Sequence, residues 1–216
     1  MNNILIFECM SIEEKHFYFQ TILSKYVPEA FVENVTRLLQ NHKVRFKIVA
    51  PRTTKLGDFR PGNLSRLPQI TVNGNLNPYS FLITTLHEFA HHITYEKYTN
   101  KVNPHGIEWK NEFKMLLEPV IYHKEFPINV RAALVKSLHN LKASSCSDVN
   151  LSRELAKFDL DNENYRLLES LPIGTQFLLQ NKFFYKGELR RKRFLCTEIE
   201  TKRNYLVSGI AKVKIA

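Results

Sequence analysis

Asn77-Pro78-Tyr79-Ser80-Phe81-Leu82-Ile83-Thr84-Thr85-Leu86-His87-Glu88-Phe89-Ala90-His91-His92-Ile93 reads as one buried helix. Asn77 is a good N-cap, and Pro78 suits a first turn, where its missing N–H costs nothing. The apolar run from Phe81 to Leu86 continues through Phe89, Ala90 and Ile93, so the segment is too apolar to lie exposed. The expected helix runs from about Pro78 to Tyr98.

Within it lies His87-Glu88-x-x-His91, the arrangement of zinc-dependent hydrolases. Histidines four apart sit on one helix face, about one turn from each other. Each can aim a nitrogen at one tetrahedral metal, and Glu88 is placed to reach a water beside it. Buried polar groups need partners, and a metal supplies them. The competing reading is a pair of satisfied core histidines on an ordinary helix.

A third ligand is expected shortly downstream. His105 stands first, because Asn103-Pro104-His105-Gly106 is turn-prone and lets the chain fold back toward the helix. Glu108 and Glu112, on the next helix, are the alternatives. Glu96 lies five residues past His91 and points away from it, and His92 is rotated about 100° from its neighbour. The three cysteines, Cys9, Cys146 and Cys196, are far apart. They form no C-x-x-C pair, which argues against a cysteine-based zinc ribbon and against a disulfide framework. An open three-ligand site for one Zn2+ per chain fits better than a closed structural one.

Thr53-Thr54-Lys55-Leu56-Gly57-Asp58-Phe59, then Ile70-Thr71-Val72-Asn73, Leu76-Asn77, His87-Glu88-Phe89-Ala90-His91, and finally His105-Gly106 with Trp109, follow one another in an order that resembles the SprT-like family. That family includes Spartan, a protease of DNA–protein crosslinks. The resemblance covers roughly residues 10 to 120. It implies an α+β, zincin-like minimal metalloprotease core, with zinc on His87, His91 and His105, catalytic Glu88, and protein substrates bound to DNA. Many members carry a Cys-rich zinc ribbon after this core, and this chain departs from them in having none.

The 216 residues carry a net charge of +10, a sign that suits anionic partners such as nucleic acid. From Lys182 to Lys214 there are ten Lys or Arg against three Glu, a net of +7. The N-terminal Met1 to Glu8 lacks a basic region before its short apolar run, so no signal peptide is expected. No apolar stretch reaches membrane-spanning length, and the few scattered Cys suit a reducing, cytoplasmic setting.

The expected organisation is α+β. Ser11-Ile12-Glu13-Glu14 is a capping box opening a helix to about Tyr26. A second helix begins at Pro28-Glu29, with Phe31, Val32, Val35, Leu38 and Leu39 on one face. Strands are expected at 44–50 and 67–72, separated by a Gly-, Pro- and Arg-containing loop at 51–66. In zincins a sheet edge beside the metal accepts an extended peptide, and residues 70–74 are the natural candidate. Further helices are expected at 107–117, packed by Trp109, Phe113, Leu116 and Leu117, and at 128–141.

The domains read as 1–142, the metalloprotease core; 143–166, a polar linker with a short helix near 152–158; and 167–216, a basic β-rich module of SH3 or OB kind. Its short strands are expected at 175–179, 182–185, 194–199, 205–207 and 213–215. Most of its aromatics, Phe183, Phe184, Tyr185, Phe194 and Tyr205, are expected in its core, because so small a module has little else to bury. Arg190, Arg191, Lys192 and Arg193 form the first candidate nucleic-acid patch, with Arg52, Lys55, Arg60 and Arg66 as a second. Two other functions compete with a DNA-directed peptidase. One is a DNA-binding protein with a non-catalytic metal site; the other is a metallopeptidase unconnected with DNA. For a second oxyanion donor, Tyr95, His92 and Tyr122 are candidates.

Overall fold

The computed structural model describes residues 11–139, 148–159 and 165–215. Cys9, Cys146 and most of the Ser-rich linker segment fall outside them. The protein is α+β, with six helices and two sheets among the described residues. It forms two compact units, Met1–Phe158 and Asp159–Ala216.

In the first unit, α1 (Ile12–Leu23) starts at the capping box: the Ser11 hydroxyl accepts from the Glu14 amide, and the Glu14 carboxylate accepts from the Ser11 amide. A 3₁₀ turn, Glu29–Phe31, leads into α2 (Val32–Asn41), which buries Val32, Val35 and Leu39. The first sheet holds β1 (Arg45–Val49), β2 (Gly57–Arg60) and β3 (Gln69–Asn73) in the order β1-β3-β2. β1 runs parallel to β3, pairing Phe46 with Ile70 and Ile48 with Val72. β2 runs antiparallel to β3, pairing Phe59 with Ile70 and Gly57 with Val72.

Two expectations change here. Residues 51–66 are not all loop, since Gly57-Asp58-Phe59-Arg60 forms β2. Its pattern does not alternate, and its strand conformation comes from pairing with β3. Residues 70–73 lie on the central strand, with both edges already paired, so they have no free edge to offer a peptide. The edges belong to β1 and β2.

Helix α3 (Pro78–Tyr98) follows the sheet, with the Asn77 side chain accepting from the Ser80 amide at 2.9 Å and Pro78 in its first turn. It is buried from Phe81 to Ala90. α4 (Ile107–Ile121) continues four residues past the expected end, and Trp109, Phe113, Leu117 and Val120 are buried. α5 (Ile128–His139) adds Val130 and Leu134 to the core. α6 (Val149–Ala156) lies in the stretch read as linker, yet its Leu151 belongs to the first unit's core, and Asn77 Nδ2 donates to the Leu155 carbonyl.

The second unit is one antiparallel six-stranded sheet, ordered β4-β9-β5-β6-β7-β8. Its strands are β4 (Tyr165–Leu167), β5 (Gln176–Leu179), β6 (Lys182–Arg190), β7 (Arg193–Glu198), β8 (Asn204–Ser208) and β9 (Lys212–Ile215). β4 begins in the stretch read as linker and pairs with β9. The β6–β7 register shifts between Lys186 and Leu189, where a Cβ on Gly187 would lie 2.2 Å from the Leu195 carbonyl oxygen. Only glycine fits that approach.

Phe177, Phe184, Cys196 and Val213 make the small core with Leu168 and Leu171, and Phe194 packs against it. Phe183, Tyr185 and Tyr205 are exposed, contrary to the expectation that most aromatics would be interior. Strand alternation accounts for the first two: with Phe184 inward, its neighbours Phe183 and Tyr185 face outward.

Candidate metal centre

The helix rise places His87 and His91 on one face of α3, and Glu88 beside them. After α3 the chain reverses through Thr99 to Gly106. His105 adopts the left-handed conformation (φ 57°), and the Gly106 amide donates to the Asn103 carbonyl. That turn carries His105 back to the helix. The Nε2 atoms lie 3.2 Å (His87–His91), 3.0 Å (His91–His105) and 3.2 Å (His87–His105) apart.

Three imidazole nitrogens converging so closely do not satisfy one another by hydrogen bonding alone. A ring N–H points along one direction, and the remaining lone pairs face each other. Four-coordinate tetrahedral binding at roughly 2.0–2.1 Å requires donor atoms about 3.3 Å apart, close to the spacing seen. His87, His91 and His105 therefore form a group able to hold a metal ion. The Trp109 ring backs all three, with centroids 4.7, 5.2 and 4.6 Å from those of His87, His91 and His105. Phe59 lies parallel to His91 at 6.5 Å.

Electrostatics agree with this donor set. Burial, then the neighbouring His91 and His105, push His87 down to about 2. Burial and His105 push His91 to about 4, and burial with the Lys110 charge lowers His105. All three rings are neutral near pH 7, as metal ligands must be.

Glu88 is buried, and burial followed by the Asp58 charge raises its pKa to about 8. Arg52, the Phe59 backbone and Lys55 act in the opposite direction. Burial of Asp58 itself is outweighed by its hydrogen bonds to Lys55 and Arg60, which hold its carboxyl below the usual value. β2 makes room for Glu88: a Cβ on Gly57 would lie 2.5 Å from Glu88 Oε1. Lys55, Gly57, Asp58, Phe59 and Thr84 line a cleft of about 480 Å³ together with Glu88 and the three histidines. The roles of Gly57, Asp58 and Phe59 are not apparent from residue type, and only their place in the ordered motif series marked them.

The other candidates lie elsewhere. Glu112 pairs with Lys97 at 2.7 Å, and the Glu108 carboxylate lies near Gly106. Glu96 Oε2 is 3.1 Å from His42 Nδ1. Tyr95, His92 and Tyr122 do not line the cleft. Of the loop cations, Arg52 is turned inward, donating to Asn73 Oδ1 (2.9 Å) and Thr71 Oγ1 (3.0 Å). Lys55 and Arg60 both pair with Asp58. The charges of these three are therefore partly or wholly committed within the fold. Arg66 lines a separate cavity with Tyr95. Arg190, Arg191, Lys192 and Arg193, by contrast, are exposed at the β6–β7 turn and make no ion pair among the described residues. No protein-family model, no curated protein and no solved structure matches this chain.

Proposed function

We propose that the protein is a zinc-dependent endopeptidase of SprT-like type, with a zincin-like core, acting on proteins associated with DNA. The observation that carries this is the convergence of three neutral imidazoles beside a buried glutamate, in a cleft bordered by a sheet edge. His87, His91 and His105 would hold the metal. When bound, zinc lowers the pKa of water toward 7 and polarises a carbonyl.

The rest of the chemistry falls to the chain. Glu88 would accept a proton from the attacking water and return it to the leaving amine; burial favours its protonated form, and a divalent cation on the three histidines would favour the carboxylate that the first transfer needs. The packed rings of Trp109 and Phe59 help hold the imidazoles in orientation. β2, the edge strand lining the cleft, offers backbone groups to an extended substrate, which would add as a further strand. A Gly57→Ala substitution is expected to push Glu88 aside and lower kcat/KM about 10²-fold, the scale of a misplacement near 1 Å. Zinc content should be unchanged, and unimpaired cleavage by this variant would count against the role given to β2.

The DNA part of the reading rests on the second unit, where Arg190 to Arg193 stand exposed on a sheet that also exposes Phe183 and Tyr185. Cations for phosphates at one end of β6 and exposed aromatics for stacking nearer its other end are the kinds of group that single-stranded nucleic acid requires. Affinity for an oligonucleotide should fall steeply with salt. Replacing the four cations by Ala should flatten the plot of log K against log salt, its slope changing by about one for each phosphate that is no longer neutralised. An unchanged slope would remove these residues from any DNA site.

No described helix is long and apolar enough to cross a membrane. The deciding experiment is cleavage of a DNA-bound protein with and without DNA, alongside zinc content. Zinc with no cleavage under either condition would favour a non-catalytic metal site; cleavage indifferent to DNA would favour a peptidase with unrelated substrates.

A further inference from the structure

The outward side of α3 carries a second constellation. His92 and Glu96 are one turn apart, and His42, at the end of α2, meets them from a separate element. His42 Nδ1 lies 3.1 Å from Glu96 Oε2, and His92 Nε2 lies 3.3 Å from Glu96 Oε1. One donor atom from each of the three residues falls within 4.8 Å of the others.

His92 is the telling member. Its side chain is 1% exposed, and neither ring nitrogen makes a hydrogen bond of acceptable geometry, although Nε2 faces the Glu96 carboxylate. A buried imidazole that makes no well-formed hydrogen bond is costly, and a bound ion is one way such a group is satisfied. Its walls are apolar: the His92 ring lies 5.7 Å from that of Phe59 and 6.3 Å from that of Phe89. Glu96 is half-exposed, so the group opens to solvent on one side and an ion has a route in.

We propose that His42, His92 and Glu96 form a second metal site, distinct from the His87–His91–His105 centre. Two borderline imidazoles with one hard carboxylate suit a divalent transition metal such as Zn2+ better than Mg2+ or Ca2+, which prefer all-oxygen shells. Three protein ligands leave a position for water. An ion here ties the end of α2 to the C-terminal part of α3, beside Phe59, whose ring also faces His91. The site therefore braces the helix that carries the candidate catalytic residues, from the side away from the cleft.

The test is zinc stoichiometry of the full chain after equilibration at fixed free Zn2+, measured by elemental analysis. The wild-type protein should hold two equivalents. Glu96→Ala and His42→Ala should each lose one, and His105→Ala should lose the other. Glu96 is half-exposed, so its variant should fold even if His42→Ala, which removes a ring packed near Phe89, does not. Zinc content unchanged by Glu96→Ala would overturn the proposal and leave the three residues as an ion-paired cluster. Loss on His105→Ala without loss on Glu96→Ala would do the same while leaving the first centre standing.

Discussion

Glu88→Gln is expected to abolish measurable proteolysis while leaving metal content unchanged. The amide is nearly isosteric with the carboxyl, so the buried pocket formed by Gly57, Thr84 and α3 can still close around it. What it cannot do is accept a proton. Loss of a positioned general base costs about 10²–10⁴-fold. The buried position of Glu88 argues for the upper part of that range, since little bulk water is at hand to substitute. Rate of cleavage and zinc content should be measured on the same sample. Retained cleavage would remove Glu88 from the chemistry, and loss of zinc would mean that its carboxylate holds the site together instead.

His105→Ala should lose the metal of the cleft and with it all cleavage. Two imidazoles on one helix face are an incomplete set, and the third comes only from the turn after α3. Removing a ligand should weaken binding by more than the roughly 10–100-fold cost of disturbing an outer-shell partner. Glu112→Ala is the internal control, because Glu112 is engaged with Lys97 and should leave zinc unaffected. If Glu112→Ala, and not His105→Ala, depletes the cleft of zinc, the ligand set described above is wrong.

Much of the first unit is legible in the residues. Asn77 and Pro78 announce α3, and the apolar run through Leu86 requires its burial. Helical geometry then puts His87 and His91 on one face without help from the rest of the fold. Capping at Ser11 and the apolar face of α2 are equally local. β2 is not legible, because Gly57-Asp58-Phe59-Arg60 has neither alternation nor β-branched residues. It is a strand because β3 presents an edge for it to pair with. For the same reason, residues 70–73 can be read as a strand but not placed at the centre of the sheet.

The nucleic-acid candidates divide along the same line. Positive charge at Arg52, Lys55 and Arg60 is a matter of composition, but whether that charge is available depends on Asp58, Thr71 and Asn73. In the second unit, the inward and outward aromatics alternate in a way that becomes evident only once Phe184 is known to face the core.

By itself, then, the sequence determined the helix, the spacing of His87, Glu88 and His91 upon it, and the excess positive charge near the C-terminus. Each follows from backbone geometry or side-chain chemistry over a few residues. Only the tertiary structure decided that His105 joins them in place of Glu108 or Glu112, and that Gly57 leaves room for Glu88. It also decided that β2 is the edge strand lining the cleft and that His42 meets His92 and Glu96 behind α3. Those relations join segments many residues apart. They are settled by which surfaces pack and which strand edges remain unpaired, and local residue patterns carry no record of either.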